Sequence, residues 1–217
     1  MSPSKNFATI GLCEVDSTAK IQDGAIIGKP FRPFLDGSRE AELATRVKQH
    51  AYIGYNAIVG NGSTIAERSI VDDYSVIESR VLIGSRALVI YRAQICNDAH
   101  IGNDCVIGGF VGERTKIEAG CRVFGKVIHR QNEPQKGWDD EDVEETAPRI
   151  LHGAFIGFDA IVAGGITVGQ RAYICAGAIV TRDVPDLHIA AGTNRIAHFS
   201  EWKGPLKDSG FFVLPVA

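Results

Sequence analysis

From Val47 to Val106 an isoleucine or valine opens every sixth residue, ten times without a break: VKQHAY, IGYNAI, VGNGST, IAERSI, VDDYSV, IESRVL, IGSRAL, VIYRAQ, ICNDAH and IGNDCV. The fifth residue is small in most units, as at Ala51, Ala57, Ser63, Ser69, Ser75, Ala87, Ala93, Ala99 and Cys105. The phase slips by two residues at Ile107–Phe110, after which VGERTK, IEAGCR and VFGKVI follow. A second run reads ILHGAF, IGFDAI, VAGGIT, VGQRAY, ICAGAI and VTRDVP, and two early units, IQDGAI and IGKPFR, start at Ile21. Isoleucine and valine together are 42 of the 217 residues, so an unbroken series of such openers is not accidental.

A helix repeats near 3.6 residues and a plain strand near 2, so a period of six fits neither. Six residues make a short strand and a corner, and three such units close a triangular coil. The aliphatic opener then points inward and stacks on the openers of adjacent coils. The small fifth residue also turns inward, beside the corner. Glycine after the opener (Gly54, Gly60, Gly84, Gly102, Gly157, Gly169) suits corners that need relaxed sterics. The expected fold is all-β: a parallel β-helix of about seven coils, ~30 Å tall at the strand spacing of stacked sheets. Residues 21–185 form the repeat domain, 1–20 an N-terminal cap, and 186–217 a C-terminal cap or tail.

Composition narrows the function. With 26 acidic and 23 basic residues the formal charge is −3, too mild for a nucleic-acid or membrane-surface binder. There is no run of 18 apolar residues for a membrane span. The opening MSPSKNFATI carries no export signal, which predicts a cytoplasmic location. The five cysteines, Cys13, Cys96, Cys105, Cys121 and Cys175, never fall as C-x-x-C and read as reduced small hydrophobes.

A stack of Ile and Val holds no chemistry, so function belongs to corners, insertions or contacts between subunits. Two insertions break the period. Residues 33–46, PFLDGSREAELATR, include a stretch that predicts a short helix capped at Ser38. Residues 129–149, HRQNEPQKGWDDEDVEETAPR, leave directly from VFGKVI and return directly into ILHGAF.

The text ILHGAFIGFDAIVAGGITVGQRAYICAGAIVTRDVPD after that insertion, with His129-Arg130 opening it and Trp138 in a Gly-Trp pair, resembles the hexapeptide-repeat acyltransferases. The closest pattern is the branch of galactoside, maltose and streptogramin acetyltransferases. The resemblance implies a left-handed coil, which period alone does not decide, because general crossover rules favour the right hand. It also implies an acetyltransferase that uses acetyl-CoA as co-substrate and acts on a hydroxyl or amine of a small polar acceptor. Homotrimers with active sites between adjacent prisms are implied as well.

Under that resemblance His129 is the general base, since an imidazole accepts a proton at neutral pH as the acceptor attacks the thioester. No serine or cysteine stands as a nucleophile, so direct transfer is expected. Ala176 matches the first alanine of the family's A-G-A segment, and Thr181-Arg182 match its Thr-Lys pair, placing coenzyme A there. Arg195 falls near the family's A-G-N-P-A-[KR], written here AAGTNRIAH, and is the candidate for a phosphate contact. Arg130 and Trp138 are candidate acceptor contacts. The run Asp139–Glu145, DDEDVEE, reads as a solvated loop, and His100 as a surface residue.

Two other readings compete. A non-catalytic β-helix scaffold accounts for the prism but not for a His-bearing insertion at this place. A γ-class carbonic anhydrase requires a set of histidines on zinc, and the chain has no H-x-x-x-x-H. No metal ligand set is predicted. A nucleotidyltransferase domain of the kind found in nucleotide-sugar pyrophosphorylases has no room.

Overall fold

A computed structural model describes residues 6–30, 43–130 and 146–212. Three parallel sheets run side by side, and the chain visits them in strict rotation. Sheet A begins with Ala8–Thr9 and Ile26–Lys29, sheet B with Cys13–Val15 and Thr45–Val47, and sheet C with Lys20–Ile21 and Tyr52–Ile53. One pass through A, B and C is a coil, and the registers run in phase from coil to coil, as in Ile58↔Val76↔Gln94 on sheet A, with a shift where Lys29 pairs with Gly60.

The stack is taller than seven coils. Eight coils place a strand on all three sheets. A ninth uses Ile179–Val180 on A, the bridge of Val184 to Val168 on B, and His188–Ala191 on C. The additional coils come from residues outside 21–185: Ala8 pairs with Ile26 and Cys13 with Thr45, while Ile189 pairs with Tyr173. Sheet C ends in Arg195–His198, antiparallel to His188–Ala191, which turns the last edge back on itself. Thr45 and Arg46, the last described residues of the first insertion, are already strand; the expected helix at Ser38 lies outside the described residues.

The openers occupy the axis. Ile53, Val59, Ile65, Val71 and Ile77 are fully buried, as are their counterparts from Val89 to Val180. Each such side chain contributes about 1.5–3 kcal/mol relative to exposure, so the column dominates the stability of the prism. The fifth-position residues are buried too, and Ser63 and Ser75 bond to the next coil. Ser63 donates from Oγ to the Glu78 carbonyl at 2.7 Å and accepts from the Val81 N–H at 3.0 Å. Ser75 donates to the Ile90 carbonyl at 2.9 Å. Ser at these positions therefore costs little, because its hydroxyl is satisfied where water cannot reach.

The corners divide their steric demands between two positions. The fourth residue of most six-residue units has positive φ, and it is more often not glycine: Arg68, Tyr74, Arg80, Arg86, Asp98 and Asp104 all lie between 57° and 59°. Gly54, Gly60, Gly84, Gly102, Gly157 and Gly169, which follow openers, have ordinary φ and are small for another reason. A Cβ on Gly54 would lie 2.5 Å from the Asp73 nitrogen, and one on Gly169 would lie 2.4 Å from the Asp186 nitrogen. Close approach of the neighbouring coil, rather than turn conformation, excludes a side chain there.

The phase slips twice, not once. Between Ile107 and Val111 the unit is IGGF, and between Val123 and Val127 it is VFGK; both pass from sheet C to sheet A in four residues. Gly109 and Gly125 stack at this shortened corner, where the Phe110 N–H donates to the Gly125 carbonyl at 3.1 Å. Val127, not His129, is consequently the next opener, and His129 becomes the third residue of its unit.

Outside the prism, arginines of the fourth position pair with acids one coil away. Arg80 meets Asp98 and Arg86 meets Asp104 through two bonds each, at 2.8 Å and 2.7 Å. The Arg86 bonds hold the Asp104 carboxyl below its usual range. The Thr18 hydroxyl and N–H do the same for Asp16. Both groups have depressed folded values, so their contribution is present above the ordinary carboxylate pKa of about 3.9 and is lost as pH falls through the lower folded values. Thermal midpoints are expected to hold down to about pH 4 and to drop below it. Asp16→Asn with Asp104→Asn should flatten that acid limb, and an unchanged acid slope would remove these two groups as its source.

The described C-terminal residues pack back on sheet C. Phe211 meets Tyr173 edge-on at 5.4 Å, Phe212 stacks on Phe199 at 4.9 Å, and the Arg171 guanidinium donates to the Phe211 carbonyl. This covers outward aromatic groups of sheet C that a solvated face would leave bare.

Candidate active site

Sheets A and B meet at an edge formed by the third residues of successive units. Following register along that edge gives Asn61, Ser79, Asn97, Glu113, His129, Gly164 and Arg182. The early members are buried and bonded to one another. Ser79 donates from Oγ to Asn61 Oδ1, and its N–H donates to Asn97 Oδ1 at 3.0 Å. Glu78 accepts from the Asn97 N–H at 3.1 Å and from Gln94 Nε2 at 3.2 Å. The corner is thus a polar column in an otherwise aliphatic prism, and it ends at the histidine where the repeat is broken.

His129 is half-buried at that place, with Nδ1 shielded from solvent. Glu113, also half-buried, is its register neighbour on one side. On the other side Gly164 presents no side chain, and a Cβ built there would find nothing closer than 3.7 Å. The strand that carries His129 is anchored by the Gly164 N–H, which donates to the Ile128 carbonyl at 3.1 Å.

The two ends of the second insertion are drawn together beside this gap. The Arg130 N–H donates to the Thr146 carbonyl at 3.2 Å. Thr146 rests directly on Gly165, where a Cβ would lie 2.4 Å from its own Cβ. Arg130 passes over Gly164, so it is the expected acceptor residue that the structure places next to His129. Trp138 and Asp139–Glu145 lie outside the described residues.

The coenzyme residues divide between two edges. Arg182 stands on the same edge as His129, two coils on, a separation of ~10 Å at the parallel-strand spacing. Its guanidinium donates to the Asn194 carbonyl, while Thr181 exchanges two bonds with the Asn194 side chain at 2.9 Å. Thr181 and Arg182 therefore fasten the final hairpin and keep exposed polar atoms as well. Ala176 is exposed at the corner from sheet C to sheet A, a different edge. Arg195 lies on the outermost strand of sheet C with its guanidinium 4.8 Å from the Trp202 ring centre. Within one chain, Ala176 and Arg195 are not brought to His129.

Glu113 and the column Asn61, Ser79 and Asn97 were not evident from the sequence. Their signal is a polar third residue recurring every 18 positions and then, across the shortened corner, after 16. Among the described residues no three His, Cys, Asp or Glu side chains gather as a metal-binding group. No helix among them is long and apolar enough to cross a membrane.

Comparison with known proteins agrees with the coil. Residues 152–182 match the family model "Hexapeptide repeat of succinyl-transferase". The bifunctional protein GlmU of Stenotrophomonas maltophilia (strain R551-3) is 35% identical over 69 residues, 32% of this chain and 15% of that protein. The serine acetyltransferase of Bacillus pumilus (strain SAFR-032) is 36% identical over 86 residues, 40% of this chain and 36% of that protein. The chain thus spans only a minor part of the curated relatives it matches. Among solved structures, the acetyltransferase domain of PglB from Neisseria gonorrhoeae FA1090 with acetyl coenzyme A is 17% identical, with a TM-score of 0.28, covering 83% of this chain and 54% of that one. With three parallel sheets visited in rotation and a buried aliphatic column along the axis, the chain is a three-sided parallel β-helix, and its residues 152–182 are similar to the hexapeptide repeat of succinyl-transferase.

Proposed function

We propose that this chain is an acyltransferase that moves an acetyl group from acetyl-CoA to a hydroxyl or amine of a small polar acceptor. The observation that carries the reading is the position of His129. It ends a polar corner column, half-buried, beside the bare Gly164 and at the mouth of the one insertion whose two ends are pinned together among the described residues. The match to a succinyl-transferase repeat and the partial likeness to a serine acetyltransferase support the same reaction class.

In this reading His129 takes the proton of the acceptor as its oxygen or nitrogen attacks the thioester carbonyl. The tetrahedral oxyanion collapses, the C–S bond breaks, and the proton passes to the departing thiolate. Acetyl-CoA fits the edge at two points. Gly164 leaves space beside His129, and Arg182 supplies a cation ~10 Å along the edge, with Thr181 beside it. Ala176 and Arg195, on the other side of the prism, then serve the site of an adjacent subunit in a homotrimer. Outward Ile58 and Val76 on sheet A and Ile70 and Leu88 on sheet C flank the corner between those sheets and supply apolar surface for such packing.

Saturating acetyl-CoA, at about 100 times its dissociation constant, should add ~2.7 kcal/mol to stability, a rise of about 5–10 °C for a chain of this size. Light scattering on the same sample should read three times the 23.4 kDa chain mass. No thermal shift would overturn the acetyl-CoA reading in favour of a scaffold, and a monomer would remove the shared site.

A further inference from the structure

Sheet B carries a second feature that the transfer chemistry at His129 does not use. Its outer face forms a groove of about 490 Å³, lined by Leu82, Gly84, His100, Gly102, Lys116 and Arg149 among others. That volume is within the range of small-ligand sites. The outward side chains lie in register on adjacent strands, with Leu82 beside His100, His100 beside Lys116, and Lys116 beside Arg149.

Two features set this column apart from the rest of the surface. Lys116 and Arg149 are like charges directly opposite on neighbouring strands, an arrangement that destabilises a sheet. Several cations of the surface pair with acids one coil away: Arg46 with Glu14 at 3.0 Å, Arg80 with Asp98 at 2.8 Å and Arg86 with Asp104 at 2.7 Å. Among the described residues neither Lys116 nor Arg149 has such a partner. Glu118, the acid that lines the groove, already accepts the His152 N–H at 2.9 Å. Asn103 is anchored through Oδ1 to the Ser85 N–H at 2.9 Å, which leaves its amide nitrogen as a further donor on the wall.

The floor is shaped for contact with a ligand. Gly84 and Gly102 carry no side chain, because a Cβ at either would lie 2.5 Å from backbone of the next coil. Leu82, 39% exposed, and Leu151 give an apolar flank. Donors on one side and aliphatic carbon on the other describe a site for a small organic anion.

We propose that this groove binds a small molecule bearing a phosphate or carboxylate group, held by Lys116 and Arg149 with His100 and Asn103 as further polar contacts. Resting on the acyltransfer reading, that molecule is the acceptor. Arg149 opens the strand that follows the His129 corner, and in the uninterrupted coils the third and sixth residues of a unit are three residues apart, at most ~10 Å along the chain. The acceptor therefore carries its charge at one end and its reacting hydroxyl or amine at the other.

Calorimetric titration of the full chain with inorganic pyrophosphate, and separately with citrate, tests the site and distinguishes phosphate from carboxylate. Binding is expected for at least one probe, weakened tenfold or more in Lys116→Gln/Arg149→Gln and unchanged in the surface control Lys203→Gln. No binding at millimolar probe, or equal affinity in the double variant, overturns the proposal. Binding that appears only after the acids of 139–145 are exchanged for Asn and Gln also overturns it, since the chain's own acids would then occupy the groove. The thermal shift with acetyl-CoA is read on the same proteins. Anion binding without that shift leaves the groove standing and removes only its assignment to the acceptor.

Discussion

Gly109→Ala is expected to be among the most damaging single substitutions in this chain. A Cβ at Gly109 would lie 1.9 Å from the Gly125 carbonyl oxygen and 2.9 Å from its carbon. Both are backbone atoms, fixed in turn by the Phe110 N–H, which donates to that same oxygen at 3.1 Å. No rotamer change relieves the contact, so two coils must separate or the shortened corner must re-form. Overpacking of this kind costs about 3 kcal/mol or more, which lowers the thermal midpoint of a chain this size by roughly 6–12 °C. Gly177→Ala is the matched control. Gly177 has φ +66° and nothing within 4 Å of a built Cβ, so only the left-handed strain of about 1–2 kcal/mol applies. Equal losses in the two variants would show that the stacked glycines at 109 and 125 do not set the spacing of the shortened corner.

This pair also shows where the fold could be read from residues and where it could not. The inward column was legible because Ile and Val recur at a fixed interval and bury completely, as at Ile53 and Ile77. The first slip was legible at Ile107 because two glycines interrupt the count. The second was hidden, since VFGKVI still opens on valine and spans six letters. Only pairing shows Val127, not His129, beside Val111. The N-terminal coil was hidden for a related reason: Thr9 stands where its neighbour has the opener Ile27, and Val15, in register with Val47, is a lone opener before Ile21, yet their backbones complete the sheets. Backbone hydrogen bonding needs no particular side chain, so a coil that only caps the core leaves a faint trace in the sequence.

The candidate site was legible in part. The insertion after VFGKVI marks His129 because a break in a strict repeat needs a cause other than packing. Arg130 and Arg182 are drawn to that same edge. Ala176 and Arg195 are not, because residues adjacent along the chain fall on different faces whenever a corner separates them. The polar column from Asn61 to Glu113 escaped notice because its members are one full coil apart, and only the register of three sheets brings them into line.

His129→Ala is the substitution with the largest expected effect on activity. Removing a positioned general base lowers the rate by about 10²–10⁴-fold, and the loss should fall on kcat and on kcat/KM together, since the proton transfer belongs to the transition state. Stability should change little, because His129 is a corner residue outside the aliphatic column. The acetyl-CoA thermal shift should persist, because Arg182 and Thr181 remain. His129→Asn keeps a polar side chain of similar reach but cannot take a proton at neutral pH, so it should be as impaired as alanine if the imbalance is chemical. Recovery of activity in His129→Asn would assign the residue to positioning rather than to proton transfer. Glu113→Gln separates the two further. Glu113 stands one coil from His129 in register, so loss of its carboxylate should lower kcat more than it changes KM while the acetyl-CoA shift is retained. An unchanged kcat in Glu113→Gln would mean that the register neighbour of His129 does not hold it in place, and the base would then work from the geometry of the corner alone.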